Sequence, residues 1–128
     1  LRPGGRVAIY DGDFSTMSVS TSESDPLQAC IDAFVEGNVH DKWLVRRLPA
    51  VLLEAGFKPE AARSHGHLET DAPALTKGWM ERGALYLAEW DRIDQAMADG
   101  LIAEGRRRAA TDSFYGFMNY VSIVASKT

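Results

Sequence analysis

Two carboxylates, Asp11 and Asp13, flank Gly12 directly after the apolar run Val7-Ala8-Ile9-Tyr10. On an extended segment, residues two apart point the same way. Such a pair can hold the amine or hydroxyl of a small molecule, or take a proton from a nucleophile. Gly12 lets the backbone pass close to a bound molecule, and Phe14 can shield the place from water. The plainer alternative is a solvated strand end. A second candidate is Arg46 with Arg47, since a guanidinium pair can hold a carboxylate or phosphate of a substrate. Its alternative is an ion pair with Asp41 or Glu54. Trp43, between Asp41 and these cations, is expected in the core. His65, His67 and Glu69 alternate along one strand face, but Arg63 on that face opposes a cation, so a solvated edge is preferred and no metal is expected. Cys30 lies within an apolar helix stripe and is expected to act as a small apolar residue.

The elements that must position these groups follow from local pattern. Pro3-Gly4-Gly5 makes a tight turn. The unbroken run Val7 to Tyr10 predicts a strand covered on both faces, ending at Asp11, where open α/β sheets place ligands. Ser15 to Ser24 has loop composition. Asp25 and Pro26 open a helix whose stripe is Leu27, Cys30, Ile31, Phe34 and Val35, with Gly37-Asn38 as its stop. Asp41 caps a short turn carrying Arg46 and Arg47. Pro49 starts another helix, which Gly56 ends with Phe57 packing behind it. Lys58 to Glu69 has no strongly apolar face and reads as an edge strand. Asp71 and Pro73 start a helix with the stripe Leu75, Trp79, Gly83, Tyr86, Leu87 and Trp90. Ile93, Met97 and Leu101 continue a helical pattern, and Phe114 to Ser126 is a closing strand in which Tyr115 and Phe117 pack. The architecture expected is α/β.

Pro3-Gly4-Gly5, a hydrophobic strand and an acidic strand end resemble the fifth strand of a class I S-adenosylmethionine-dependent methyltransferase. Asp11-Gly12-Asp13-Phe14-Ser15-Thr16 is similar to the strand end in small-molecule methyltransferases of the ubiquinone/menaquinone-biosynthesis type. The later order agrees: two helices, Ala55-Gly56-Phe57 opening a strand, a helical insertion and a closing strand. The resemblance implies that residues 1–128 are the carboxyl-terminal half of a Rossmann-like methyltransferase sheet. The last strand would run antiparallel between the other two. It further implies a small-molecule acceptor, with Asp11 and Asp13 catalytic, and Asp11, Asp13, Phe14, Arg46 and Arg47 lining its pocket. The cofactor would be S-adenosylmethionine, gripped by a first half whose glycine-rich loop is not in these residues, so this chain alone would bind it weakly or not at all and be inactive. Two other classes stay open. One is a non-catalytic half-domain that self-associates through unpaired strand edges. The other is a different doubly wound enzyme, disfavoured because no glycine-rich phosphate loop is present.

Bulk properties narrow the partners. The 128 residues hold 14 Lys and Arg against 18 Asp and Glu, a net charge of −4, which opposes nucleic acid as main partner. A single cysteine excludes an internal disulfide and fits a reducing compartment, so a cytoplasmic location is expected. No apolar run reaches membrane-spanning length, and no membrane partner is expected. An oligomer is expected from the continuous apolar strand at the chain's start.

Overall fold

The fold was obtained as a computed structural model, which describes residues 1–70 and 74–128. Its elements in chain order are β1 (Arg6–Ser18), α1 (Leu27–Asn38), α2 (Leu44–Glu54), β2 (Phe57–Glu69), α3 (Ala74–Glu89), α4 (Gln95–Ala110) and β3 (Gly116–Lys127). The start expected for α3 at Asp71 and Pro73 lies outside the described residues. The strands form one sheet in the order β1-β3-β2. Gly4 N donates to Lys127 O at 2.8 Å and Lys127 N to Gly5 O at 2.7 Å, so the start of β1 lies beside the end of β3. Thr128 N donates to Gly56 O, which sets the end of β3 beside the start of β2. The last strand therefore runs antiparallel between the other two, as expected, and β2 is an edge.

The chain divides into two compact units. Unit 1 comprises Leu1–Thr16, Asp41–His67 and Met118–Thr128. Here α2 lies on one face of the sheet: Leu52, Ile123 and Ala125 are buried, with Val7, Ile9, Leu48, Phe57 and Val121 packed against them. Gly56 ends α2 with φ +83°, a conformation that favours glycine, and its N–H reaches Leu53 O. Two expectations about the cover of β1 and the start of α2 fail in this unit. First, β1 is not covered on both faces. Val7 and Ile9 meet α2, but Ala8 is exposed and Tyr10 is 61% exposed, stacked on Tyr120 at 5.2 Å. Ala8 and Tyr10 are apolar in type without being core, because a strand alternates its side chains and α2 covers only one side. Second, Pro49 does not start a helix; it lies inside α2. Its missing N–H forfeits one bond near the amino end, while Leu48 and Leu52 on either side of it anchor the helix to the sheet.

Unit 2 comprises Met17–His40 and Leu68–Phe117. Its helices pack as α1 on α3 and α3 on α4. The α1 stripe is as expected: Leu27, Cys30, Ile31, Phe34 and Val35 are all buried. Asp25 accepts from Leu27 N at 3.0 Å, and α1 ends at Asn38. Gly83 carries the α1–α3 contact, since a Cβ there would lie 1.6 Å from the Cys30 carbonyl oxygen. On α3 the buried residues are Thr76, Met80, Gly83, Ala84 and Leu87, while Leu75 is exposed. The expected stripe is displaced there because Glu69 accepts from both Thr76 N and Thr76 Oγ1, which seats that polar residue inward. Tyr86 and Trp90 stack on each other at 5.3 Å and are only partly buried. The helical pattern after Trp90 is a separate helix: Asp91 has φ 56°, and Asp94 caps α4 by accepting from Met97 N. Tyr115 is exposed, and Phe114 takes the buried place. Among the described residues no helix is long and apolar enough to cross a membrane.

Candidate functional site

The candidate site lies within unit 1, where the later part of β1 meets the first turn of α2. The strand does not stop at Asp11 as expected but runs on to Ser18. Asp13 thus stays on the face that carries Val7 and Ile9 and turns toward α2. Its side chain is nearly closed from solvent, and the residue is 6% exposed. A buried carboxylate needs a partner, and Asp13 has two. Arg46 Nε donates to Oδ2 at 2.8 Å, and the Ser15 hydroxyl and N–H donate to Oδ1. Arg46 Nη2 also donates to Ser15 Oγ at 2.8 Å. Burial pushes the Asp13 carboxyl up, but the hydrogen bonds from Ser15 and Arg46 and the Arg46 charge outweigh it and hold it below the ordinary carboxylate range.

The start of α2 is organised by Asp41. Its Oδ1 accepts from Trp43 N at 3.0 Å, and its carboxylate pairs with Arg47. The two expected arginines therefore part company: Arg46 reaches Asp13, while Arg47 is held by Asp41. Trp43 is not core. It is 45% exposed, with the Arg46 guanidinium carbon 5.1 Å and Lys42 Nζ 5.2 Å from its ring centre. Both lie within the range of a cation–π contact. The helix start explains this, because the inward positions of the first two turns go to Val45 and Leu48.

Asp11 is half-buried, and its carboxylate accepts from the next residue's N–H, Gly12, at 2.8 Å. Phe14 is half-buried. The space in front of Gly12 is occupied: a Cβ there would meet Met118 Cε at 2.9 Å and the Phe14 ring at 3.3 Å. Gly12 thus admits side chains of its own fold, rather than the close approach of a ligand expected for it. Thr16 Oγ1 donates to Asp13 O and accepts from Asn119 N, which holds this stretch of β1 to β3. The structure thus brings Asp13 and Arg46 together. Three groups outside the expected set join them: Ser15, Trp43 and Lys42. The signal for the last two was an aromatic residue preceded by one cation and followed three positions later by another on a helix start.

The His65, His67 and Glu69 set is spread over other tasks. His65 Nε2 is 2.8 Å from Ser122 Oγ, His67 lies edge-on to Tyr120, and Glu69 serves Thr76. Among the described residues no group of three potential metal ligands occurs. Cys30 is buried, and burial with the nearby Asp25 charge pushes its thiol up to about 11, so it is not a nucleophile at neutral pH. Asp13 and Arg46 are engaged with each other, and the space in front of Gly12 is taken by Met118 and Phe14.

No protein-family model matches the chain, and no curated protein matches it. Among solved structures it aligns with Haemonchus contortus phosphoethanolamine N-methyltransferase 2, in complex with phosphomonomethylethanolamine and S-adenosylhomocysteine. The two are 18% identical over 99% of this chain and 27% of that protein, with a TM-score of 0.34. The chain thus spans about a quarter of that protein's length, and the fold and the site rest on the geometry above rather than on this likeness.

Proposed function

We propose that this chain is the carboxyl-terminal part of an S-adenosylmethionine-dependent methyltransferase domain, and that it supplies the pocket for a small-molecule acceptor. The observation that carries the proposal is the sheet order β1-β3-β2, with the last strand inserted antiparallel and a buried, cation-paired Asp13 beyond the apolar part of β1. The finer assignment, to enzymes of the ubiquinone/menaquinone-biosynthesis type, has its support in the run from Asp11 to Thr16. In this proposal the chain's own residues position the acceptor, which is the larger part of what an enzyme must do when the leaving group is already good. Asp13 is tied to Arg46 and is a weak base at neutral pH, so it acts by fixing the guanidinium. Asp11 makes no ion pair among the described residues and is the carboxylate assigned to the acceptor's departing proton. Phe14, also expected at the pocket, sits beside Gly12 and Met118 on the opposite face of β1 and is given no contact with the acceptor. Arg47, held by Asp41, has a secondary part.

The test is methyl transfer by the full-length protein from labelled S-adenosylmethionine to a panel of small amines, phenols and acids. Asp11→Asn should lower turnover by about a hundredfold or more while cofactor affinity is unchanged. Wild-type turnover in both Asp11→Asn and Asp13→Asn would remove these carboxylates from the reaction. The chain as given should show no calorimetric binding of S-adenosylmethionine at micromolar concentration.

A second reading has its own observation. The edge strand β1 presents Val7 and Ile9 only partly buried and Tyr10 open to solvent. Unpaired apolar edges recruit strands, so the chain by itself should self-associate. Light scattering that gives a monomer mass over a wide concentration range would exclude this.

A further inference from the structure

We infer that the Arg46 guanidinium is an anion receptor, and that the acceptor bound at this site carries a carboxylate or phosphate group. This names a substrate class for the acceptor pocket proposed above and rests on that reading. The anion site itself stands on geometry alone. A guanidinium presents five N–H donors in a rigid plane. In Arg46 the inner part of that plane is spent on the protein: Nε on Asp13 and Nη2 on Ser15. Nη1 makes no hydrogen bond among the described residues, and the side chain is 53% exposed. The group is held from beneath by a buried carboxylate, stacked on Trp43 and open on its remaining side. A cation whose only task is to neutralise Asp13 needs no aromatic support and no open edge. One fixed at three points with its last nitrogen outward is preorganised to donate to something else.

A second cation adds to the field. Lys42 Nζ and the Arg46 guanidinium lie within 5.2 Å of the centre of the same indole ring, and Lys42 makes no ion pair among the described residues. Asp13 neutralises only one positive charge of the two. Among Asp13, Arg46 and Lys42 one positive charge is therefore left over beside the indole, although the chain as a whole is acidic. An anion seated there would accept from Arg46 Nη1 and be attracted by Lys42. Neutral or cationic groups gain nothing from it.

The probes are inorganic phosphate and acetate, titrated separately and followed by the NMR signals of the Trp43 indole N–H and the Arg46 Nε–H. Both signals should move in a saturable way, with phosphate the tighter ligand if the site favours a dianion. Arg46→Lys should weaken binding about tenfold or more, because it removes the fixed fork. Lys42→Gln should weaken it by a smaller factor. Arg46→Lys keeps a charge opposite Asp13, and the double variant Asp13→Asn with Arg46→Gln removes both charges, so a folding defect in one does not remove the test. Wild-type anion affinity in folded Arg46→Lys and in the double variant overturns the inference. So do shifts confined to signals elsewhere, such as those of Arg106 to Arg108. In the complete enzyme the two ideas separate. Equal use of neutral and anionic acceptors, with KM unchanged in Arg46→Lys, removes the anion class and leaves methyl transfer standing. Anion binding at Arg46 without any methyl transfer removes the methyltransferase reading and leaves the receptor.

Discussion

Among the described residues two aspartates are buried, Asp13 and Asp25, each paired with an arginine, and they differ in one respect. In unit 2, Asp25 is met by Arg108 through both Nη atoms, and the Arg108 side chain is only 13% exposed. Arg108 also binds Glu104 through Nε, so every edge of its plane is occupied. Thr21 and Leu27 donate their N–H groups to Asp25 as well. In unit 1, Asp13 is equally buried, but its Arg46 is half in solvent with one nitrogen to spare. The first pair is closed and ties the start of α1 to the end of α4. The second is open. Burial of the acid does not separate a structural pair from a functional one here, whereas the unspent valence of the base does. The surroundings agree: Lys and Arg outnumber Asp and Glu in unit 1, and the reverse holds in unit 2.

This contrast can be broken most directly at Arg108. Arg108→Met should leave Asp25 charged, buried and without its cation, at a cost of about 3–5 kcal/mol in urea unfolding. Adding Asp25→Asn should recover part of that loss. A cost below about 1 kcal/mol would mean that the closed pair does not hold unit 2 together. Arg46→Gln is the matching variant in unit 1. It should cost less than Arg108→Met, about 1–2 kcal/mol, because Arg46 is half exposed and Asp13 keeps both donors from Ser15. If Arg46→Gln destabilises as much as Arg108→Met, Arg46 is a structural residue and the distinction collapses.

The smallest effect expected is on acid stability. Burial raises both carboxyl groups, and hydrogen bonds and the arginine charges more than reverse this, leaving both below the ordinary range, Asp25 further than Asp13. A carboxyl lowered in the folded state contributes its stability above its unfolded pKa, about 3.9, and loses it as pH falls through the folded value. The protein should therefore lose stability below about pH 4. Asp25→Asn should flatten that loss more than Asp13→Asn does. Equal flattening by the two would place Asp13 in as closed a setting as Asp25.

The sequence by itself determined what depends on neighbours a few positions away. Asp25 and Pro26 begin α1, its 3.6-residue stripe is buried as written, and Gly56 stops α2, because caps, periodicity and positive φ are local properties. The edge character of β2 was legible from its lack of an apolar face, and the place of β3 from the resemblance of the ordered elements. Tertiary structure alone decided the rest. Tyr10 belongs to an unbroken apolar run, yet it is open, because only the docking of α2 chooses which side of β1 is covered. Asp13 and Arg46 stand 33 positions apart and carry no mutual signal in the sequence. They meet because Leu48 and Leu52 press α2 onto Ile9, Val121 and Ile123, which buries the carboxylate and obliges it to find a cation. That same docking sends Arg47 back to Asp41, so two adjacent arginines of equal promise acquire different partners.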